Sequence, residues 1–129
     1  MLTIKHLIDI YTIIITKTII IIDKVRNALC LNKYTGSRGK SGSSDANAEY
    51  IGKLRGVFDG ADVAFQTAEL GKVDKGGGGT ITYIMANYGM NVIDSGMAVL
   101  SMHAPWEIAS KADIYEGYRG YKAFLEKME

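Results

Sequence analysis

No glycine precedes Gly36 in this chain, and all fifteen glycines lie from that position onward. Glycine supplies the backbone freedom for tight turns and close approaches, so compact turn-rich structure is expected after residue 33 and not before it. Residues 1–32 are instead dominated by isoleucine, threonine and lysine. This shift is the clearest boundary in the sequence and divides a segment 1–32 from a segment 33–129. The residues of the first segment are those that AT-rich DNA encodes readily. Joined abruptly to a glycine-rich pattern, they read as a frame-shifted or misplaced start.

The run from Leu7 to Ile22 is strongly apolar, but Asp9 and Lys17 interrupt it. Each charge is costly at the centre of a bilayer, and Asp9 spoils a secretory apolar core. A small membrane-tethered protein is therefore the least favoured reading. The β-branched run Thr18–Ile22 favours a strand over a helix. Fifteen basic against fourteen acidic residues leave a formal charge of +1. That balance gives no electrostatic reason to expect nucleic acid or an anionic membrane as partner. One cysteine, Cys30, excludes an internal disulfide and any thiolate zinc cluster built within the chain. A reducing, cytoplasmic compartment follows as the default. The two histidines, His6 and His103, are far apart, which argues against a self-sufficient histidine-rich metal site.

From residue 33 the periodicity alternates. Tyr34–Ser44 reads as a glycine- and serine-rich loop. A helix is expected to start near Ser44 or Asp45, with Tyr50, Ile51, Leu54, Val57 and Phe58 as its apolar stripe and Asp59-Gly60 as its end. Asp62–Ala68 reads as a strand and Gly71–Gly79 as a loop. Thr80 is placed to cap a short helix carrying Ile81, Ile84, Met85 and Tyr88, closed by Gly89. Asn91–Asp94 and Ala98–Ser101 read as two strands, or one strand broken at Gly96. Pro105 suits the first turn of a final helix, with Ile108, Ala112, Tyr115, Tyr118, Phe124 and Leu125 facing the core. Alternating helices and strands predict an α/β fold with helices packed on a mixed sheet.

Three motifs invite chemistry. Gly39-Lys40-Ser41 resembles the end of a phosphate-binding loop, but Tyr34 stands where that motif requires glycine, so nucleotide binding is rejected. Gly76–Gly79 before Thr80 is either an anion cradle at a helix start or a tight packed turn, and the residues favour the turn. His103, in Ser101-Met102-His103-Ala104-Pro105, lies at a strand end, where α/β sheets gather site residues. A lone histidine there does not by itself define a metal site.

Three segments, LNKYTGSRGKSGSSDANAEYIGK, FQTAELGKVDKGGGGTI and NYGMNVIDSGMAVLSMHAPWEIASKADIYEGYRGYKAF, together resemble the C-terminal part of the zinc aminopeptidases related to vacuolar aminopeptidase I and aspartyl aminopeptidase. The resemblance covers about residues 31–129 in order, and the S-M-H-x-P-x-E run is its most specific part. It implies a peptide substrate, homo-oligomeric assembly of the complete enzyme, and two zinc ions sharing a water that attacks the first peptide bond. The family's ligands are two histidines and three carboxylates, with a glutamate as general base. His103 matches the last ligand, Tyr50 a tyrosine beside the substrate and Lys33 a lysine of the substrate pocket. Gly78, Gly79 and Thr80 match a tight turn near that pocket. The loop between Lys33 and Tyr50 is longer than in aspartyl-specific members. The family's other ligands and general base lie upstream of the resembling region, and residues 1–32 carry no replacement. The chain is therefore expected to be an inactive C-terminal fragment of a dizinc catalytic domain. The alternative is a non-catalytic α/β remnant serving as a structural or association module.

Overall fold

A computed structural model of the chain describes residues 11–15, 28–36, 43–70 and 81–128. Its elements run β1 (Tyr11–Ile15), β2 (Leu29–Gly36), β3 (Ser43–Asp45), α1 (Ala48–Asp59), β4 (Phe65–Leu70), α2 (Thr82–Ala86), β5 (Asn91–Met97), β6 (Val99–Leu100), β7 (Ile108–Ala109) and α3 (Lys111–Lys127). The expected α/β architecture, helices on a mixed sheet, is what forms. β2 is the hub of a five-stranded sheet. β4 runs parallel to it, β5 runs antiparallel along Leu29–Asn32, and β3 runs antiparallel along Tyr34–Gly36. β1 lies parallel to β5 at the far edge, with Ile13 opposite Ile93. β6 and β7 form a separate two-stranded ribbon. The compositional boundary at residue 32 falls inside β2, a single continuous strand.

α1 forms where its apolar stripe predicts, but its cap is Asn47, not Ser44 or Asp45. The Asn47 side chain accepts the Tyr50 N–H at 2.8 Å, satisfying a donor that a helix start leaves open. Ser44 and Asp45 are taken up by β3, so the stretch Tyr34–Ser44, expected as loop, is strand at both ends. Tyr50, Leu54 and Phe58, at i, i+4 and i+8, are buried against Leu29, Leu31 and Ile93 of the sheet. The Phe58 and Phe65 rings pack at 5.6 Å, a favourable tilted separation. Asp62 turns left-handed (φ 52°), and the Val63 N–H bonds back to Phe58 O at 3.0 Å. This helix termination occupies Asp62–Ala64, so β4 starts at Phe65 rather than Asp62.

α2 starts at Thr82 with Ile81 at its cap position and no side-chain cap bond; Thr80, expected to cap it, lies outside the described residues. Ile81, Ile84 and Tyr88 are exposed. Gly89 takes the left-handed conformation expected of it, at φ 77°. β5 passes unbroken through Gly96, which pairs with Cys30.

The last helix departs furthest from expectation. It begins at Lys111, not Pro105, and its cap is Ser110, whose side chain accepts the Asp113 N–H at 3.4 Å. Ile108 belongs to β7 and is exposed, as are Ala112, Tyr115, Tyr118 and Leu125. The core-facing side consists of Asp113, Gly117, Gly120, Ala123 and Phe124. A Cβ at Gly120 would lie 2.6 Å from Leu29 Cδ2, and one at Gly117 would lie 2.7 Å from Met97 Sδ. Glycine at these two positions lets the helix backbone approach the sheet. Asp113 is buried, and its Oδ1 accepts the N–H of Ala28 at 3.0 Å. Ala28 has φ 71°, a conformation that costs a residue with a Cβ about 1–2 kcal/mol. The carboxylate thus fixes the strained entry into β2.

Candidate functional site

His103 sits in the turn that joins β6 to β7, where Val99 pairs with Ala109 and Leu100 with Ile108. Two non-glycine residues of this turn are left-handed, Ser101 at φ 57° and His103 at φ 65°. Such conformations persist only where the surroundings enforce them. Two hydrogen bonds do so here. The Ala104 N–H donates to Ser101 O at 3.0 Å, and the His103 N–H donates to Glu107 Oε1 at 2.8 Å. Pro105, whose ring fixes its own φ, stands between them in sequence. The backbone is restrained while the imidazole stays exposed. A neutral imidazole on a restrained turn suits zinc, a borderline-soft ion that favours nitrogen donors. Among the described residues no group of three or more His, Cys, Asp or Glu side chains is placed to hold a metal. The exposed His103 imidazole offers one nitrogen donor of the kind zinc takes.

Lys33 and Tyr50 stand on other elements. Lys33 lies on β2 where the register with β4 shifts, and its Nζ forms an ion pair with Asp45 Oδ1 across the β2–β3 pair. Its carbonyl accepts the Ala46 N–H at 2.8 Å, which leads the chain into the Asn47 cap and Tyr50. Asn47 Nδ2 also donates to Asn91 Oδ1 at 2.8 Å, tying this corner to the start of β5. Tyr50 is 2% exposed and belongs to the core. Lys33 and Tyr50 are thus brought to one corner, whereas His103 stands on the separate ribbon. Gly78, Gly79 and Thr80 lie outside the described residues, as does Gly39–Ser41. Their neighbour Thr82 is buried, with its Oγ1 2.9 Å from Thr35 Oγ1.

Several polar residues were not singled out by sequence reasoning. Glu107 is one, although its place at the end of the S-M-H-x-P-x-E run was a signal. Asn32, Asp94 and Ser95 are buried on neighbouring strands, with Asn32 opposite Asp94 in the ladder. An aspartate inside the apolar run of β5 was the available clue. The Ser95 carbonyl accepts from the Tyr121 hydroxyl at 3.3 Å. Burial pushes the Tyr121 phenol above its ordinary pKa, and nearby Asp94 adds to the effect. Further along α3, burial opposes ionisation of Glu116. The Arg119 guanidinium at 2.8 Å and the Ala64 N–H at 3.0 Å outweigh it and hold the carboxyl below its usual value.

Residues 25–125 match the family model of the aminopeptidase I zinc metalloproteases, M18. The chain belongs to the M18 family. A probable M18 family aminopeptidase 1 of Clostridium acetobutylicum is 68% identical over 97 residues, which are 75% of this chain and 21% of that relative. The Thermotoga maritima relative of the same description is 49% identical over 105 residues, 81% of this chain and 23% of its own. Among solved M18 structures, the Thermotoga maritima aminopeptidase superposes with a TM-score of 0.74 at 48% identity, covering 81% of this chain and 23% of that one. Aminopeptidase I from Clostridium acetobutylicum gives 0.68 at 67% identity, covering 76% and 22%. A chain solved as a dodecamer in the asymmetric unit, at 12% identity and a TM-score of 0.70, shares the fold alone. This M18 chain spans about a fifth of the length of the curated relatives it matches. The family resemblance read from the three segments is borne out, and zinc is the metal of the family.

Proposed function

We propose that this chain carries the His103 zinc ligand of an M18 metalloaminopeptidase, which removes N-terminal residues from peptides. The observation that carries the reading is the turn at His103, where two left-handed residues and the Glu107 contact present an exposed imidazole on a restrained backbone. Zinc bound there as one of two ions supplies Lewis acidity toward a peptide carbonyl and a water of lowered pKa. His103 contributes a nitrogen lone pair, and Glu107 holds the backbone that aims it. Lys33 offers its ammonium to a substrate carboxylate in exchange for Asp45. Tyr50, being buried, shapes the wall of that corner, and Gly78, Gly79 and Thr80 are carried over from the family resemblance alone as substrate-side residues. The complete enzyme is cytoplasmic and homo-oligomeric. Among the described residues no helix is long and apolar enough to cross a membrane.

The 129 residues by themselves bring one ligand and no general base, so the isolated chain is expected to hydrolyse no aminoacyl anilide. Zinc-dependent turnover that copurifies with it would refute this inventory. In a complete enzyme carrying this segment, His103→Ala should lower zinc occupancy and turnover together, with kcat/KM down by at least about a hundredfold. Zinc stoichiometry and turnover are measured on folded mutant. Unchanged metal content with near-normal turnover would remove His103 from the ligand set and favour the non-catalytic association module.

A further inference from the structure

Leu29 and Met97 stand directly opposite each other where β2 and β5 pair. α3 crosses this pair and presents a glycine to each member, Gly120 to Leu29 and Gly117 to Met97. The two contacts differ in chemistry. Leu29 is fully buried and inert, whereas Met97 is half-buried and carries a thioether that peroxides oxidise. Its Cγ, Sδ and Cε lie 3.3, 2.7 and 3.8 Å from the point where a Gly117 Cβ would stand. One flank of the sulfur is therefore closed by the helix backbone. One helical turn further on, the Tyr121 hydroxyl stands 4.0 Å from the same sulfur.

That hydroxyl is loosely held. It donates to Ser95 O at 3.3 Å, beyond the usual distance for an O–H···O bond, and a thioether is only a weak acceptor. Burial keeps the phenol protonated well above neutral pH, so it remains a donor.

We propose that Met97 is a site of oxidation by hydrogen peroxide, and that its sulfoxide is held by the Tyr121 hydroxyl, tying α3 to the end of β5. A lone pair of Sδ attacks one peroxide oxygen, and the O–O bond breaks. Sulfur is oxidised by two electrons and gains that oxygen. The other oxygen leaves as hydroxide and takes the proton of the transferred one, forming water. The sulfoxide oxygen stands one bond length nearer the hydroxyl than the sulfur did. From 4.0 Å, that step brings it within hydrogen-bonding distance.

A sulfoxide buried without a donor would disrupt the packing of α3, because it turns an apolar side chain into a polar one. Tyr121 supplies the donor. The sulfur also becomes chiral, and the Gly117 backbone shields one of its lone pairs, so one epimer predominates. β5 continues through Ala98 into the ribbon that carries His103. The tie thus fixes the strand end from which that ribbon departs. Neither zinc nor the imidazole takes part, and failure of the ligand reading leaves the proposal untouched.

The test adds hydrogen peroxide to the folded, full 129-residue chain. Peptide mapping by mass spectrometry then follows oxygen added at each of the six methionines, and the Met97 peptide should gain one. Methionine sulfoxide reductases A and B each reduce a single epimer. Applied to the digested, oxidised chain, one of them should restore about fivefold more of the Met97 peptide than the other, the bias of one net hydrogen bond. Thermal unfolding then tests the bond itself. Met97→Leu conserves volume and reports what oxidation of the other methionines does. Relative to that variant, the parent's Tm should stay level or rise on oxidation. In Tyr121→Phe, which keeps the ring, oxidation of Met97 should lower Tm by about 4 °C, the shift expected of a buried polar group without a partner. A Met97 that takes up no oxygen in the folded chain, equal restoration by the two reductases, or the same fall in parent and Tyr121→Phe would each overturn the proposal. The reductase comparison uses the parent alone and decides the matter even if Tyr121→Phe does not fold.

Discussion

The flank where α1 meets the sheet and the turn that carries His103 are built on opposite terms. In the first, Leu54 and Phe58 are fully buried, Asn47 caps the helix, and the one left-handed residue, Asp62, comes after the helix has ended. In the second, side chains face solvent and two non-glycine residues are left-handed. Local strain is tolerated at the turn because the fold's stability is drawn from elsewhere. The difference teaches that stability and ligand geometry reside in separable parts of this chain, and substitutions should move one without the other.

The largest effect should come from the buried flank. Phe58→Ala removes a ring packed on Phe65 and is expected to cost about 3–5 kcal/mol in a denaturant titration. A loss below 1 kcal/mol would mean the flank is not where stability resides. Next, Asp113→Ala leaves the N–H of strained Ala28 without its carboxylate and should cost about 1–3 kcal/mol. Exchange of the Ala28 amide with solvent should quicken with it. At the turn the sign reverses. His103→Gly removes a left-handed penalty of about 1–2 kcal/mol but adds chain entropy to the unfolded state, leaving a gain of up to about 1 kcal/mol. The same change removes the proposed ligand. A clear destabilisation by His103→Gly would show that the imidazole supports the fold and would collapse the contrast.

The smallest effect is a pH dependence. Glu116 has a folded pKa below its ordinary value, so its contribution is present above the unfolded pKa and is lost as pH falls through the folded one. The stability gap between the parent chain and Glu116→Gln should therefore be widest at neutral pH and close in acid. A gap that does not change with pH would show that the charge on Glu116 does not contribute.

Much of α1 was legible because its signals agree: an apolar stripe at helical spacing and an Asp-Gly ending all describe one helix. α3 was misread for a physical reason. Its buried side is Asp113, Gly117, Gly120, Ala123 and Phe124, a face defined by smallness and one hydrogen-bonded carboxylate rather than by apolar bulk. The larger residues Tyr115, Tyr118 and Leu125 lie on the opposite side, and hydrophobic periodicity selected them. Pro105 also misled, because the left-handed turn around His103 uses it before the helix begins. At the candidate site, His103 stood out through its motif. Glu107 did not, because a hydrogen bond to a backbone N–H leaves no mark on side-chain patterning. Whether β2 would run past Tyr34 was equally hidden, since pairing with Ser43 and Ser44 depends on partners that serine content alone does not announce.

The pairing of β1 with β5 has a consequence during synthesis. Ile13 finds its strand partner at Ile93, eighty positions later in the chain. At roughly 5–20 residues per second, a ribosome takes about 4–16 s to make that interval. Throughout it the apolar sequence YTIII has been translated while the strand it joins does not yet exist. An unpaired apolar strand is a template for other chains. Cells making this protein should therefore depend on chaperones that occupy nascent chains, and slower translation should lower the soluble yield.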